Sequence, residues 1–122
     1  MMHWRLFEVK DGHLHTLFHA VTLPSGKRSR RIPEGVWLEA GARLVADGCN
    51  LTWYPEGFHV FADPRGLDYL ARFRKPRVLV AVLVEVEGLR PKPTNPGVLL
   101  AARMRVPVGA GRMILRTSSG MA

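Results

Sequence analysis

Val78-Leu79-Val80-Ala81-Val82-Leu83-Val84-Glu85-Val86-Glu87 is the most strongly patterned stretch of the chain. Side chains of an extended segment alternate between faces, so all five valines fall on one side. The other side carries Leu79, Ala81 and Leu83 before it turns acidic at Glu85 and Glu87. Two apolar faces predict a central strand, covered on both sides for most of its length.

Working outward, the upstream sequence reads as strands and turns. Residues 3 to 9 and 13 to 20 are strand-forming runs separated by Lys10-Asp11-Gly12, a good hairpin signal. Residues 24 to 35 mix turn formers with basic residues and predict an exposed, mobile loop. Short strands are expected at Val36 to Glu39 and Arg43 to Ala46. The turn Asp47-Gly48-Cys49-Asn50 and a strand at Leu51 to Tyr54 follow, with another strand at Gly57 to Phe61. Asp63-Pro64 has the form of an N-cap followed by proline at the first helical position. Over 64 to 74, Tyr69, Leu70 and Phe73 share one face and Arg65, Asp68 and Arg72 the other, predicting a short amphipathic helix that Lys75-Pro76 ends.

Downstream of Glu87, residues 88 to 97 contain Pro91, Pro93 and Pro96 and read as a loop. Val98 to Val106 is apolar and reads as a short helix or turn, and Met113 to Thr117 as a last strand. The expected fold is therefore α+β: one domain over 1 to 117, a mostly antiparallel curled sheet with one short helix packed on it. Residues 118 to 122 are expected to form a flexible tail.

The composition suits such a domain, at 122 residues, 47% hydrophobic and 23% charged. Cys49 is the only cysteine, which precludes an intrachain disulfide and favours a reducing compartment. The start of the chain lacks the pattern of a secretion signal, and no apolar run reaches the ~18 residues of a membrane span. A cytoplasmic location without membrane contact is the expectation.

Charge is the main functional signal. Lys and Arg number 18 against 10 acidic residues, a net +8, and no acid follows Glu87. Two clusters stand out, Lys27-Arg28-Ser29-Arg30-Arg31 and Arg72-Phe73-Arg74-Lys75-Pro76-Arg77. Arginine supplies 14 of the 18 positive charges, and its planar fork suits phosphate. Such a field attracts polyanions through counterion release. Lys27, Arg28, Arg30, Arg31, Arg72, Arg74, Lys75 and Arg77 are thus candidates to engage nucleic acid or an acidic protein surface. An arginine-rich, lysine-poor chain is also what a GC-rich genome encodes.

Other residues carry weaker signals. His13, His15 and His19 would leave one face of a strand, a geometry in which two imidazoles can hold one metal ion, but no close third ligand is visible and no metal is expected. His59 sits between Phe58 and Val60 and can hold or move a proton if it lines a cleft, or serve as a hydrogen-bonded core residue. Glu85 and Glu87 leave one face near a strand end, where paired carboxylates can do acid/base work or simply mark the strand's exit into water. Trp4, Trp37, Trp53, Tyr54 and Phe58 can stack on bases or fill a core. Gly109-Ala110-Gly111 lacks the further glycine and lysine of a phosphate loop.

The order Gly57-Phe58-His59, Asp63-Pro64 helix with Tyr69, then Val84-Glu85-Val86-Glu87-Gly88 resembles a class of small uncharacterised phage and prophage proteins, over residues 54 to 93. More distantly, a hairpin start with His-Trp-Arg, a Gly-aromatic strand, a helix and a later glutamate-bearing strand is similar in order to the ADP-ribosyltransferase fold. That resemblance implies an NAD cleft with Arg5 at the basic first-strand position, Tyr54 or Tyr69 beside the nicotinamide, and Glu85 or Glu87 as the carboxylate. The strand after Gly57 reads Phe-His-Val-Phe where that family carries a Ser-Thr-Ser-type triplet. The leading expectation is a basic intracellular binding protein of phage type without a cofactor. Its rivals are an NAD-linked enzyme with a cleft near His59, Glu85 and Glu87, and an inhibitor of a host protein.

Overall fold

The computed structural model describes residues 1–17, 19–47, 50–55, 57–63, 78–92, 95–117 and 120–121. At its centre lies a 14-residue strand, β9 (Leu79–Lys92), which contains the valine repeat. On one side its first half pairs with β1 (Met2–Lys10), in a register running from Met2 opposite Glu85 to Glu8 opposite Leu79. β1 turns at Asp11-Gly12, both with positive φ (51° and 79°), into β2 (His13–His15). This is the hairpin that the Asp-Gly pair predicts, with a second strand much shorter than residues 13 to 20.

The other edge of β9 carries β10 (Asn95–Arg105) and then β11 (Met113–Thr117), which lie one after the other along it. β10 in turn pairs with β8 (Phe58–Val60) and β5 (Leu38–Glu39). Just beyond β8, Trp4 N–H donates to the Phe61 carbonyl at 2.8 Å and Phe61 N–H to the Trp4 carbonyl at 2.7 Å. The circuit β1, β9, β10, β8 and back to β1 is thus closed, and the antiparallel sheet curls until its ends meet. Two short hairpins lie off this sheet: β3 (Val21–Thr22) with β4 (Arg28–Ser29), and β6 (Ala42–Asp47) with β7 (Asn50–Pro55). A last strand, β12 (Gly120–Met121), pairs with β11.

Curling gives the valine face an interior. Val80, Val82, Val84 and Val86 pack there with Phe7, Leu38, Phe58, Val60, Met104 and Val106, all buried. Fully burying a side chain of this size stabilises by roughly 1.5–3 kcal/mol, so the valine row is a principal source of the core's stability. The opposite face of β9 is also covered at first, Ala81 packing with Leu6, Phe61 and Val98. It opens at Leu83, which is 37% exposed, and ends in the acidic pair.

Three sequence expectations are corrected. The fold is not α+β: among the described residues there is no helix, and the structure is almost entirely sheet. The helix expected over 64 to 74 lies outside the described residues, as do Arg72, Arg74, Lys75 and Arg77. Val98 to Val106, expected as a helix or turn, lies mostly within β10, because partners on both sides satisfy its backbone: β9 on one edge and β8 and β5 on the other. Residues 88 to 92, expected as loop, continue β9. Beyond Val86 that strand has β10 as its one neighbour among the described residues, and an edge stretch tolerates Pro91.

Gly88 explains how the strand runs on. Its φ is +67°, a left-handed conformation that glycine adopts without strain, while pairing continues unbroken from Glu87–Arg103 to Leu89–Ala101. Before it, even-numbered residues point into the core; after it, Leu89 packs there instead. None of the described helical segments, there being none, is long and apolar enough to cross a membrane.

Candidate functional site

The basic run 27 to 31 is more ordered than the mobile loop its composition predicts. Leu23 N–H donates to the Lys27 carbonyl and Gly26 N–H to the Leu23 carbonyl, both at 2.8 Å, forming the β3–β4 turn. The charges then divide by role. Arg28 donates to the Ala20 carbonyl at 2.9 Å and to Thr22 Oγ1 at 3.4 Å. Arg30 donates to the Thr16 and Leu17 carbonyls at 2.9 and 3.0 Å and lies 3.9 Å from the buried Glu8 carboxylate. Both arginines therefore clamp backbone carbonyls that no strand partner satisfies. Lys27 is exposed at the turn.

Arg31 turns the other way, into an open cleft of about 510 Å³. Leu14, Leu23, Ile32 and Pro33 line its apolar part, and His13, Arg31, Arg112 and Glu34 its polar part. Arg112 arrives from the far end of the chain and is fixed by donating to the Gly12 carbonyl, 100 residues away in sequence, at 2.9 Å. It can do so because residues 106–112 stand opposite only residues 82–84 of β9, so the chain between β10 and β11 loops out. Glu34 accepts from Gly109 N–H at 3.2 Å on the same loop. The side chain of Arg31 has no hydrogen-bond or ion-pair partner among the described residues. A second, largely apolar cleft of about 450 Å³ lies between Met2, Trp4, Leu83 and the 107–113 segment.

The expected catalytic trio is not assembled. Glu85 accepts a short hydrogen bond from Arg105 Nε, and Glu87 accepts from Arg103 at 2.7 Å. Arg103 also donates to Glu39 at 2.5 Å. Both guanidinium carbons lie 4.6 Å from the Trp37 ring centroid, so the carboxylates and arginines form a ladder stacked on an indole. The Arg105 hydrogen bond holds the Glu85 carboxyl below the usual carboxylate range, which suits a fixed ion-pair partner better than a proton acceptor at neutral pH. The hydrogen bonds that Arg103 donates to Glu87 and Glu39 likewise raise its pKa.

His59 lies elsewhere. It pairs with Leu100, three residues along β10 from the Glu87 partner Arg103, a strand distance of roughly 10 Å. Its Nε2 is 2.9 Å from Lys92 Nζ, and its carbonyl accepts from Arg5 at 3.0 Å. Burial, then the charges of Lys92, Arg5 and His19, lower its pKa to about 4. Neither cleft is lined by His59, Glu85 or Glu87.

The three histidines near β2 also separate: His13 lines the Arg31 cleft, while His15 places Nδ1 3.0 Å from the His13 carbonyl. Among the described residues no three His, Cys, Asp or Glu side chains converge as metal ligands. Of the aromatic candidates, Phe58 is core, Trp4 packs against the Leu6 cluster, Trp37 carries the arginine ladder, and Trp53 and Tyr54 belong to β7. Arg112 and Lys92 were visible only as members of the acid-free stretch after Glu87. Compared with protein-family models, with curated proteins and with solved structures, the chain matches none.

Proposed function

We propose that the protein binds nucleic acid, seating a backbone phosphate in the cleft between Arg31 and Arg112. The observation that carries this reading is the convergence of those two arginines and His13 beside an apolar wall, from parts of the chain distant in sequence. Among the described residues Arg31 has its side-chain donors unengaged, and Arg112 is held in position by the Gly12 carbonyl, so a phosphate meets one available guanidinium beside one fixed one. Leu14, Leu23, Ile32 and Pro33 offer apolar surface to the adjoining sugar or base. Of the ten acidic residues, Glu8 is held in ion pairs with Lys10 and Arg30, Glu39 and Glu87 with Arg103, and Glu85 with Arg105, while Glu34, at the cleft itself, accepts from Gly109 N–H. The net charge of +8 supplies long-range steering. Lys27 lies on the neighbouring turn, and the 72 to 77 cluster is a further contact proposed from sequence alone.

The test is fluorescence anisotropy against labelled duplex DNA, single-stranded DNA and RNA over a salt series. Binding is expected to weaken with salt by a log–log slope of about −0.9 per neutralised phosphate on duplex DNA. Arg31→Glu is expected to abolish tight binding without loss of fold, whereas charge reversal at Arg28 or Arg30 also breaks the backbone clamps and is uninformative. No binding to any of the three polymers at low salt overturns the proposal and leaves an acidic protein surface as the partner to examine.

A further inference from the structure

We infer that Lys92 and His59 form a second anion site, away from the Arg31 cleft, that takes one phosphate-type oxyanion. Lys92 Nζ and His59 Nε2 are 2.9 Å apart. An ammonium has donors and no acceptor, so the imidazole must accept through Nε2 and carry its own proton on Nδ1. The pair therefore presents two further ammonium N–H donors beside a ring whose one lone pair is taken and whose Nδ1–H is directed away from Lys92, with no acceptor left for a cation. That is the donor set of an oxyanion site.

The surroundings reinforce the sign. Arg5 from β1 and His19 from the segment after β2 both add positive potential at the ring. Arg5 is fixed there: its guanidinium carbon lies 5.6 and 5.4 Å from the ring centroids of Phe7 and Phe58, and it donates to the His59 carbonyl. Arg90 shares the cross-strand row, since Leu100 pairs with both His59 and Arg90. Among the described residues neither Lys92 nor His59 takes part in an ion pair. A lysine hydrogen-bonded to a neutral imidazole among other cations is electrostatically unfavourable by itself. An oxyanion on the remaining ammonium donors offsets that disadvantage, and where it draws Lys92 off Nε2 the ring can take a second proton there.

The same chemistry is offered by free phosphate and by a phosphodiester, and the experiment separates them. The full chain, labelled with ¹⁵N-histidine, is titrated from pH 3.5 to 8 at constant ionic strength held with chloride. The series is run alone, with inorganic phosphate, and with a short single-stranded oligonucleotide. Without phosphate, the His59 ring is expected to titrate near pH 4. A bound anion within ~4–6 Å should raise that midpoint by about 1–3 units, saturably. Lys92→Met should abolish the saturable response, and Lys92→Arg should retain it. Response to phosphate assigns the site to a free oxyanion; response to the oligonucleotide alone assigns it to a phosphodiester. A midpoint unmoved by both, or moved as strongly in Lys92→Met, overturns the inference.

Discussion

Replacing Gly88 with alanine tests how β9 changes its core-facing side. The native φ of +67° costs an L residue roughly 1–2 kcal/mol. The added Cβ also falls 2.7 Å from the Ala102 Cβ across the ladder. Neither atom can swing away, because both are bonded directly to backbone held by the pairs on either side. Forced overpacking of this kind costs about 1–3 kcal/mol, so Gly88→Ala is expected to lose about 2–5 kcal/mol in all. Urea unfolding followed by tryptophan fluorescence reads the change. With a slope of about 1–3 kcal/mol/M, the midpoint should fall by about 1 M or more. Adding Ala102→Gly removes the clash and leaves the dihedral cost, so the double variant, compared with Ala102→Gly alone, should recover the steric share. A Gly88→Ala protein within about 0.5 kcal/mol of the parent, or no recovery from the second substitution, refutes the account.

Arg30→Ala should destabilise by about 1–3 kcal/mol in the same assay, since it leaves the Thr16 and Leu17 carbonyls short of a donor and removes the cation that faces the buried Glu8. Arg31→Ala should change stability by less than about 0.5 kcal/mol while weakening DNA binding, and the opposite ordering would sink the division of roles. For Glu85, the folded-state pKa lies below the ordinary 4.5, so its ion pair with Arg105 stabilises fully above that pH. That contribution is lost as pH falls through the lowered value. The melting temperatures of the parent and Arg105→Met should therefore differ near neutrality and converge in acid; a constant gap down to pH 2 would contradict the pairing.

The charge excess and Arg31 were legible as composition and as a cluster. That Arg28 and Arg30 are clamps was not, because their acceptors are the carbonyls of residues 16, 17 and 20, which come into reach only when β3 and β4 close. Glu85 and Glu87 looked like free carboxylates because their partners, Arg103 and Arg105, are set opposite them by the register of the β9–β10 hairpin. His59 was legible as a perturbed histidine candidate, but its company is cationic and not acidic.

What the sequence alone determined is what depends on local periodicity and local backbone preference: the valine strand, the Asp11-Gly12 hairpin, the strand at Met113–Thr117 and the basic character of the surface. Tertiary structure decided the rest. Val98 to Val106 and residues 88 to 92 carry no local pattern strong enough to choose a conformation, and they are strands because β9, β8 and β5 supply their hydrogen bonds. The Arg31 cleft likewise exists because the 106–112 loop brings Arg112 to Gly12. An interaction between residues 100 positions apart leaves no mark on the sequence near either one, since its energy is realised only after the intervening chain has closed.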